Sequence, residues 1–265
     1  MIESSTYAQN TWCPGCGNFG ILAALKQAVS ELIEAKEAKR EEFVVVSGIG
    51  CGSKIIDYLN LNTFSSLHGR PIVSAEGIKF SNPNLKVIVS TGDGGGYNEG
   101  ISHLIHAAKR NTDITVLIHD NRNFALTTSQ FTATSPKGFK GKSTPKGSPE
   151  EPFNPLKLIL ASKATFIARG YSAKIDHLKE LVERGIRHKG FSFIEILQPC
   201  VSFFDTYQDY NERIYEIKDE DLASEKEALR KIKEWNYEDK NSKIPIGVFY
   251  EVQRPSFEES LVFKR

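Results

Sequence analysis

The chain has 265 residues, enough for one large α/β domain or two small ones, with a core that needs no disulfide staples. Apolar residues make up 40%, charged residues 25%, and the formal net charge is +1, so nothing in the balance calls for nucleic acid or an anionic membrane as partner. Its longest apolar runs, such as Val44-Val45-Val46 and Val87-Ile88-Val89, fall far short of the roughly 20 residues of a membrane span. The opening MIESSTYAQN has neither the basic start nor the apolar stretch of a secretory leader, so a cytoplasmic protein is expected. Thiols are reduced there, and Cys13, Cys16, Cys51 and Cys200 read as ligands or catalysts rather than disulfides.

In chain order, Leu22, Leu25, Val29, Leu32 and Ile33 recur at helical spacing and predict an amphipathic helix over 19–39. A strand over 43–47, a short helix over 51–61, a helix over 75–84, a buried strand over 85–90, a helix over 100–110 and a strand over 114–119 follow. Residues 120–153 are rich in Thr, Ser, Gly, Pro and Lys without a period, and so long a structureless stretch inside a compact chain is usually functional. A helix over 155–162, a strand over 164–169, a helix over 175–188 and a strand over 191–197 complete an alternation that predicts an α/β fold with a doubly wound, mainly parallel sheet over 1–205. Residues 206–265, with the charged helical run SEKEALRKIKEW and then IPIGVFYEV, read as an extension packing on the core or on another subunit.

The most informative stretch is LKVIVSTGDGGGYNEG, where a buried strand runs into Gly92-Asp93-Gly94-Gly95-Gly96 and then a helix. Ligands in open α/β sheets bind at such strand ends, glycines let the backbone approach phosphate oxygens, and the helix N-terminus adds positive partial charge. Asp93 would repel a bare phosphate, and a divalent cation such as Mg²⁺ between them resolves this. A second oxygen ligand then belongs at the end of another strand, where ITVLIHDNRN supplies Asn121, 121 − 93 = 28 residues on. GIGCGS at 48–53 and GKS at 141–143 imitate nucleotide fingerprints, but Ser53 and Pro136 occupy required glycine positions.

Cys13-Pro14-Gly15-Cys16 fits a tight turn that brings two sulfurs to one centre, and Cys51 and Cys200 each follow a strand at the carboxyl edge of the sheet. Four thiolates suit either a tetrahedral zinc or a four-iron cluster, and spacing leaves both open.

GDG followed about 28 residues later by Asn resembles the thiamine diphosphate and magnesium motif. That resemblance implies that Asp93, the Asn121 side chain and the Asn123 backbone carbonyl hold Mg²⁺, with Asp120 where many members have Asn. WCPGCGN, GIGCGSK, LHGRPIVSAEGIK, GDGGGYNEG, LTTSQFTATSPKG and a late PC together resemble the β subunit of the 2-oxoacid:ferredoxin oxidoreductases over roughly 10–205. The resemblance implies a 4Fe-4S cluster on Cys13, Cys16, Cys51 and Cys200, and thiamine diphosphate held by Gly50, Cys51, Gly52, His68, Gly92, Asp93, Gly94, Gly95, Asn121, Asn123, Leu126 and Thr127. Lys54 is implied to grip a 2-oxoacid carboxylate or settle negative charge, and His68 and Arg70 to meet the diphosphate or substrate. Thr127-Thr128-Ser129-Gln130 departs from the family's Thr-Gly-Gly-Gln.

The implied reaction is coenzyme A-dependent oxidative decarboxylation of a 2-oxoacid to acyl-CoA and CO₂, with electrons passing through the cluster to ferredoxin. One α/β unit carrying the diphosphate motif lacks the domain that cups the pyrimidine, so an α (or α plus γ) partner subunit is expected. The alternative enzyme is a non-redox thiamine diphosphate-dependent decarboxylase or transferase subunit with a structural Cys₄ zinc, and the alternative from another class is a silent scaffold subunit. His103, His106 and His119 read as packing residues, and Lys137, Lys140, Lys142 and Lys146 as a solvated basic loop.

Overall fold

The computed structural model describes residues 5–218, 221–237 and 239–261; the first four residues of the stretch read for a leader, and parts of the tail, lie outside the described residues. One eight-stranded sheet runs through the molecule in the order β2-β1-β3-β4-β6-β5-β8-β7. Its strands are β1 (Phe43–Ser47), β2 (Asn62–Ser65), β3 (Lys86–Gly92), β4 (Thr115–Asp120), β5 (Phe166–Tyr171), β6 (Ser192–Leu197), β7 (Ile214–Glu216) and β8 (Ile244–Glu251). Every pairing is parallel except β5 with β8, so the chain is α/β with a doubly wound, mainly parallel sheet. The central strands β4, β5 and β6 are buried along their whole length, as strands covered on both faces must be.

Helices α1 (Asn18–Glu34), α2 (Pro71–Ser81), α3 (Ile101–Arg110), α4 (Pro155–Ala161), α5 (Ile175–Arg187), α6 (Tyr207–Arg213), α7 (Glu225–Ile232) and α8 (Phe257–Ser260) accompany the sheet. The apolar stripe of α1 joins Leu178, Leu181 and Val182 of α5 in one core layer, while α2, α3, α4 and α7 pack in a second layer. Helix α1 ends at Glu34, short of the predicted 39, because Lys36 turns to φ 60°. Helix α2 begins at Pro71, before the expected 75, with proline at the first position where its missing N–H costs nothing. The predicted helix over 51–61 is a 3₁₀ segment, Gly52–Tyr58, and β2 has no counterpart among the predicted elements: its four residues are all exposed, so no apolar period marks it.

The tail contributes two strands to the same sheet. β8 runs antiparallel to β5, and Arg169 of β5 forms a fully buried pair with Glu195 of β6, Nε to Oε2 at 2.6 Å. Tail residues close over that pair: Trp235 and Phe249 flank the guanidinium at 4.7 and 5.3 Å, Pro245 O accepts from Nη1, and Nη2 donates to the Tyr237 hydroxyl. No helix among the described residues is long and apolar enough to cross a membrane.

Candidate active site: a glycine cleft against a cysteine cavity

Parallel order places the carboxyl ends of β1, β3, β4 and β6 on one edge of the sheet. β3 delivers Asp93 into a π-helical turn, Gly94–Glu99, and β4 delivers Asp120-Asn121. Close packing explains the glycines: a Cβ on Gly94 would stand 2.1 Å from the Phe124 ring, and one on Gly95 would stand 2.5 Å from Thr91 Oγ1. Every residue assigned to the diphosphate from sequence lines one cleft: the glycines of both loops, Cys51, His68, Asp93, Asn121, Asn123, Leu126 and Thr127. Gly50, at φ 133°, has open space where a side chain would project, so its backbone faces the cleft bare.

Asp93 is 1% exposed, and burial pushes its carboxyl up to about 6 against the pull of hydrogen bonds from Thr132 and Thr134. Thr132 Oγ1 donates to Asp93 Oδ2 at 2.6 Å. Thr134 Oγ1 lies 3.1 Å from Asp93 Oδ2 and 2.9 Å from Asp120 Oδ1, and its single proton cannot serve both. Burial, then the neighbouring Asp93 and Glu195, push the Asp120 carboxyl well above the usual carboxylate range. Arg122 adopts φ 59°, which lets Asn121 and Asn123 meet: the Asn123 N–H donates to Asn121 Oδ1 at 3.1 Å and Asn123 Nδ2 to Asn121 O at 2.8 Å. Arg122 is held by Thr134 O at 2.6 Å and lies near the rings of Phe204, Trp235 and Tyr237. Asn123 Oδ1 and His68 Nδ1, on residues that line the cleft, are buried without a partner, as is Oδ2 of the adjoining Asp120, so the chain leaves polar groups at the cleft unsatisfied.

The four cysteines, all free, line a second cavity of about 230 Å³ together with Asn18, Lys54 and Gln198. No three His, Cys, Asp or Glu side chains among the described residues are gathered closely enough to hold a single metal ion. Trp12 anchors the N-terminal segment that carries Cys13 and Cys16, edge-on to Phe19 and Tyr58, and its Nε1 donates to Cys51 O at 2.7 Å. Burial lifts the Cys16 thiol to about 11, and the other three sulfurs add to the rise. Donors stand around the sulfurs: Ser202 Oγ is 3.2 Å from Cys13 Sγ and Gln198 Nε2 is 3.6 Å from Cys16 Sγ. Burial also raises Cys51, and the Lys54 cation opposes that rise.

Of the three residues given catalytic roles from sequence, His68 alone lines the cleft. Lys54 faces the cysteines and donates to Thr11 Oγ1 at 3.1 Å, while Arg70 Nη1 is occupied by the carbonyls of Glu99 and Gly69. His119, expected to pack, lies buried between Ser90 and Asn18, and burial lowers it to about 3, so it is neutral. Sequence reasoning missed Thr132, Thr134, Asn18, Ser202 and Gln198. The functional reading of 120–153 covers the two threonines, and Gln198 lies two residues before a candidate ligand cysteine.

A buried carboxylate and an asparagine thus stand on adjacent strand ends, beside a glycine-lined turn, at the carboxyl edge of an α/β sheet. Residues 48–196 match the family described as "Thiamine pyrophosphate enzyme, C-terminal TPP binding domain", and residues 200–264 match the family of C-terminal regions of the pyruvate ferredoxin oxidoreductase beta subunit. Among curated relatives, the 2-oxoacid:ferredoxin oxidoreductase 1 subunit beta of Aeropyrum pernix is 42% identical over 92% of this chain and 79% of its own length. The 2-oxoglutarate synthase subunit KorB of Methanocaldococcus jannaschii is 35% identical over 94% of this chain and 90% of its own. A chain of the 2-oxoglutarate:ferredoxin oxidoreductase from Magnetococcus marinus, solved with 2-oxoglutarate, coenzyme A and succinyl-CoA bound, matches at TM-score 0.92 and 32% identity over 98% of this chain and 87% of that one. The chain belongs to the β subunits of the 2-oxoacid:ferredoxin oxidoreductases.

Proposed function

We propose that this chain, with an α (or α plus γ) subunit and in the reducing cytoplasm, carries out thiamine diphosphate-dependent and coenzyme A-dependent oxidative decarboxylation of a 2-oxoacid to acyl-CoA and CO₂. Electrons leave through a 4Fe-4S cluster on Cys13, Cys16, Cys51 and Cys200 to ferredoxin. The observation that carries this reading is a shared wall: Cys51, Asn121, Ala125 and Leu126 line both the cleft and the cysteine cavity. A group in the cleft and one in the cavity would therefore sit side by side, at electron-transfer range.

The residues present fit the absent groups. Asp93, the Asn121 side chain and the Asn123 carbonyl are a hard oxygen set of the kind Mg²⁺ takes together with phosphate oxygens. A divalent cation would also satisfy the buried Asp93 carboxylate that burial otherwise disfavours. A single zinc needs its sulfurs about 2.3 Å from one centre, whereas a four-iron cluster spreads its thiolates more widely. The four thiols share one cavity, and membership of the 2-oxoacid:ferredoxin oxidoreductase β subunits favours a cluster there.

When bound, thiamine diphosphate supplies the carbanion chemistry and the cluster the one-electron chemistry that no side chain can. This chain's own residues bind and orient. The bare glycine backbone and the Gly94–Glu99 turn accept the diphosphate, and His68 offers an unpartnered Nδ1 to the cleft. Lys54 sets a cation beside the Cys51 sulfur. Ile49 and Leu126, both on the cleft wall, and the neighbouring Leu67 are exposed by 45%, 45% and 76%, an apolar rim that suits coverage by a partner subunit.

Anaerobic co-purification with the α subunit tests the reading. A brown complex with about four irons and acid-labile sulfide per chain, and 2-oxoacid-dependent ferredoxin reduction that needs both subunits, is expected. A colourless protein with one zinc per chain, or turnover by the isolated chain, would overturn it.

A further inference from the structure

Gln198 stands between the two sites and touches both. Its Oε1 is 3.0 Å from Asn121 Nδ2, and its Nε2 is 2.8 Å from Pro199 O and 3.6 Å from Cys16 Sγ. It is 1% exposed, so these contacts are made away from water. We propose that Gln198 is a positioning residue that couples the proposed magnesium ligand Asn121 to the proposed cluster ligand Cys16 through one side-chain amide. The inference rests on the function proposed above and adds communication between its two cofactor sites.

The Pro199 carbonyl can only accept. The end of Gln198 facing it must therefore be the NH₂ group, and the end facing Asn121 must be the oxygen. An oxygen there requires Asn121 to present its own NH₂. The Asn121 oxygen is then turned the other way, where the Asn123 N–H donates to it at 3.1 Å. One backbone carbonyl beside Cys200 so fixes which atom of Asn121 is available to a cation. The second hydrogen on Nε2 goes to the Cys16 sulfur, and the amide uses its oxygen and both hydrogens.

Two consequences follow from ordinary hydrogen-bond physics. Donation to a ligating sulfur stabilises the more negatively charged, reduced form of a cluster and raises its potential. A cation on Asn121 Oδ1 polarises that amide, strengthens its N–H toward Gln198 Oε1, and through the Gln198 amide strengthens the N–H aimed at Cys16. Occupancy of the diphosphate site by a metal should therefore raise the potential of the neighbouring cluster, partly by this route. A through-space effect of the cation would survive removal of Gln198; the relayed part would not.

The test uses the full-length chain purified anaerobically with its α subunit, in wild type, Gln198→Leu and Gln198→Glu. Magnesium affinity in the presence of thiamine diphosphate is measured by calorimetry, and cluster potential by redox titration with and without Mg²⁺–thiamine diphosphate. The leucine variant loses both contacts. It should bind Mg²⁺ about 10–100-fold more weakly, show a lower potential and show a smaller response to magnesium. The glutamate variant keeps an acceptor for Asn121 and loses the donor to Cys16, so its magnesium affinity should lie nearer wild type while its potential falls. Calorimetry does not require iron, so a variant that loads no cluster still reports on Asn121. Wild-type magnesium affinity, potential and magnesium response in both variants would overturn the coupling alone. A wild-type complex without iron would overturn the proposed function and the coupling with it.

Discussion

The glycine cleft and the cysteine cavity share a wall but are built in opposite ways. The metal-binding side of the cleft comes from neighbouring strand ends, Asp93 after β3 and Asn121 and Asn123 after β4, while the glycines after β1 and His68 complete its wall. The cavity draws on the N-terminal segment, the start of the 3₁₀ segment after β1 and the turn after β6, three places with no local pattern in common. A site made by local geometry is held by the sheet itself, whereas one assembled from remote segments depends on whatever pins those segments. Here Trp12 and Gln198 do the pinning.

That contrast can be broken at either side. Asp93→Ala should have the largest effect: thermal protection by Mg²⁺ and thiamine diphosphate should vanish while iron per chain stays at the wild-type value, read by melting curves and iron analysis. Loss of iron as well would mean that the two sites fold as one. Cys13→Ser should give the mirror result, a colourless or unstable cluster with magnesium and cofactor binding within about 2-fold of wild type. Trp12→Ala, which removes the anchor of the N-terminal segment, should cost about 3–5 kcal/mol in denaturant unfolding and lower iron loading more than cofactor binding. Thr134→Val removes the hydroxyl between Asp93 and Asp120 and should cost about 1–3 kcal/mol, with magnesium affinity reduced and iron unchanged.

The same contrast explains what is legible in the sequence. The strand, the GDGGG turn and the helix after it are contiguous, so Asp93 can be placed at a strand end and Asn121 at the next one. Those two residues and the others that the family resemblance assigns to the diphosphate line one cleft. Gln198, Thr132 and Thr134 act through contacts across 77, 39 and 41 positions to Asn121 and Asp93, and no spacing rule reports such contacts. Lys54, implied by the resemblance to grip a 2-oxoacid carboxylate or settle negative charge, lies in a 3₁₀ segment, lines the cysteine side of the wall and donates to Thr11 Oγ1. In the fold, β2 escapes notice because Asn62-Thr63-Phe64-Ser65 is exposed on both faces, and β7 because its three residues, two half-exposed and one exposed, carry no period. β8 is visible as an apolar run, but its antiparallel seat beside β5, where Pro245 and Phe249 meet Arg169, rests on contacts remote in sequence.

That seat has a consequence for how the molecule opens. β8 is flanked by β5 on one side and β7 on the other, and seven of its eight residues are buried. Ile244 to Ile246 pair with β7 and Gly247 to Glu251 pair with β5, so the paired amides of β8 should exchange with deuterium chiefly when the sheet opens. Amides of β8 should accordingly exchange as slowly as those of β4 and β6. The late-sequence strand and the strand ends that carry Asp93 and Asn121 would then be lost together, in a single cooperative event.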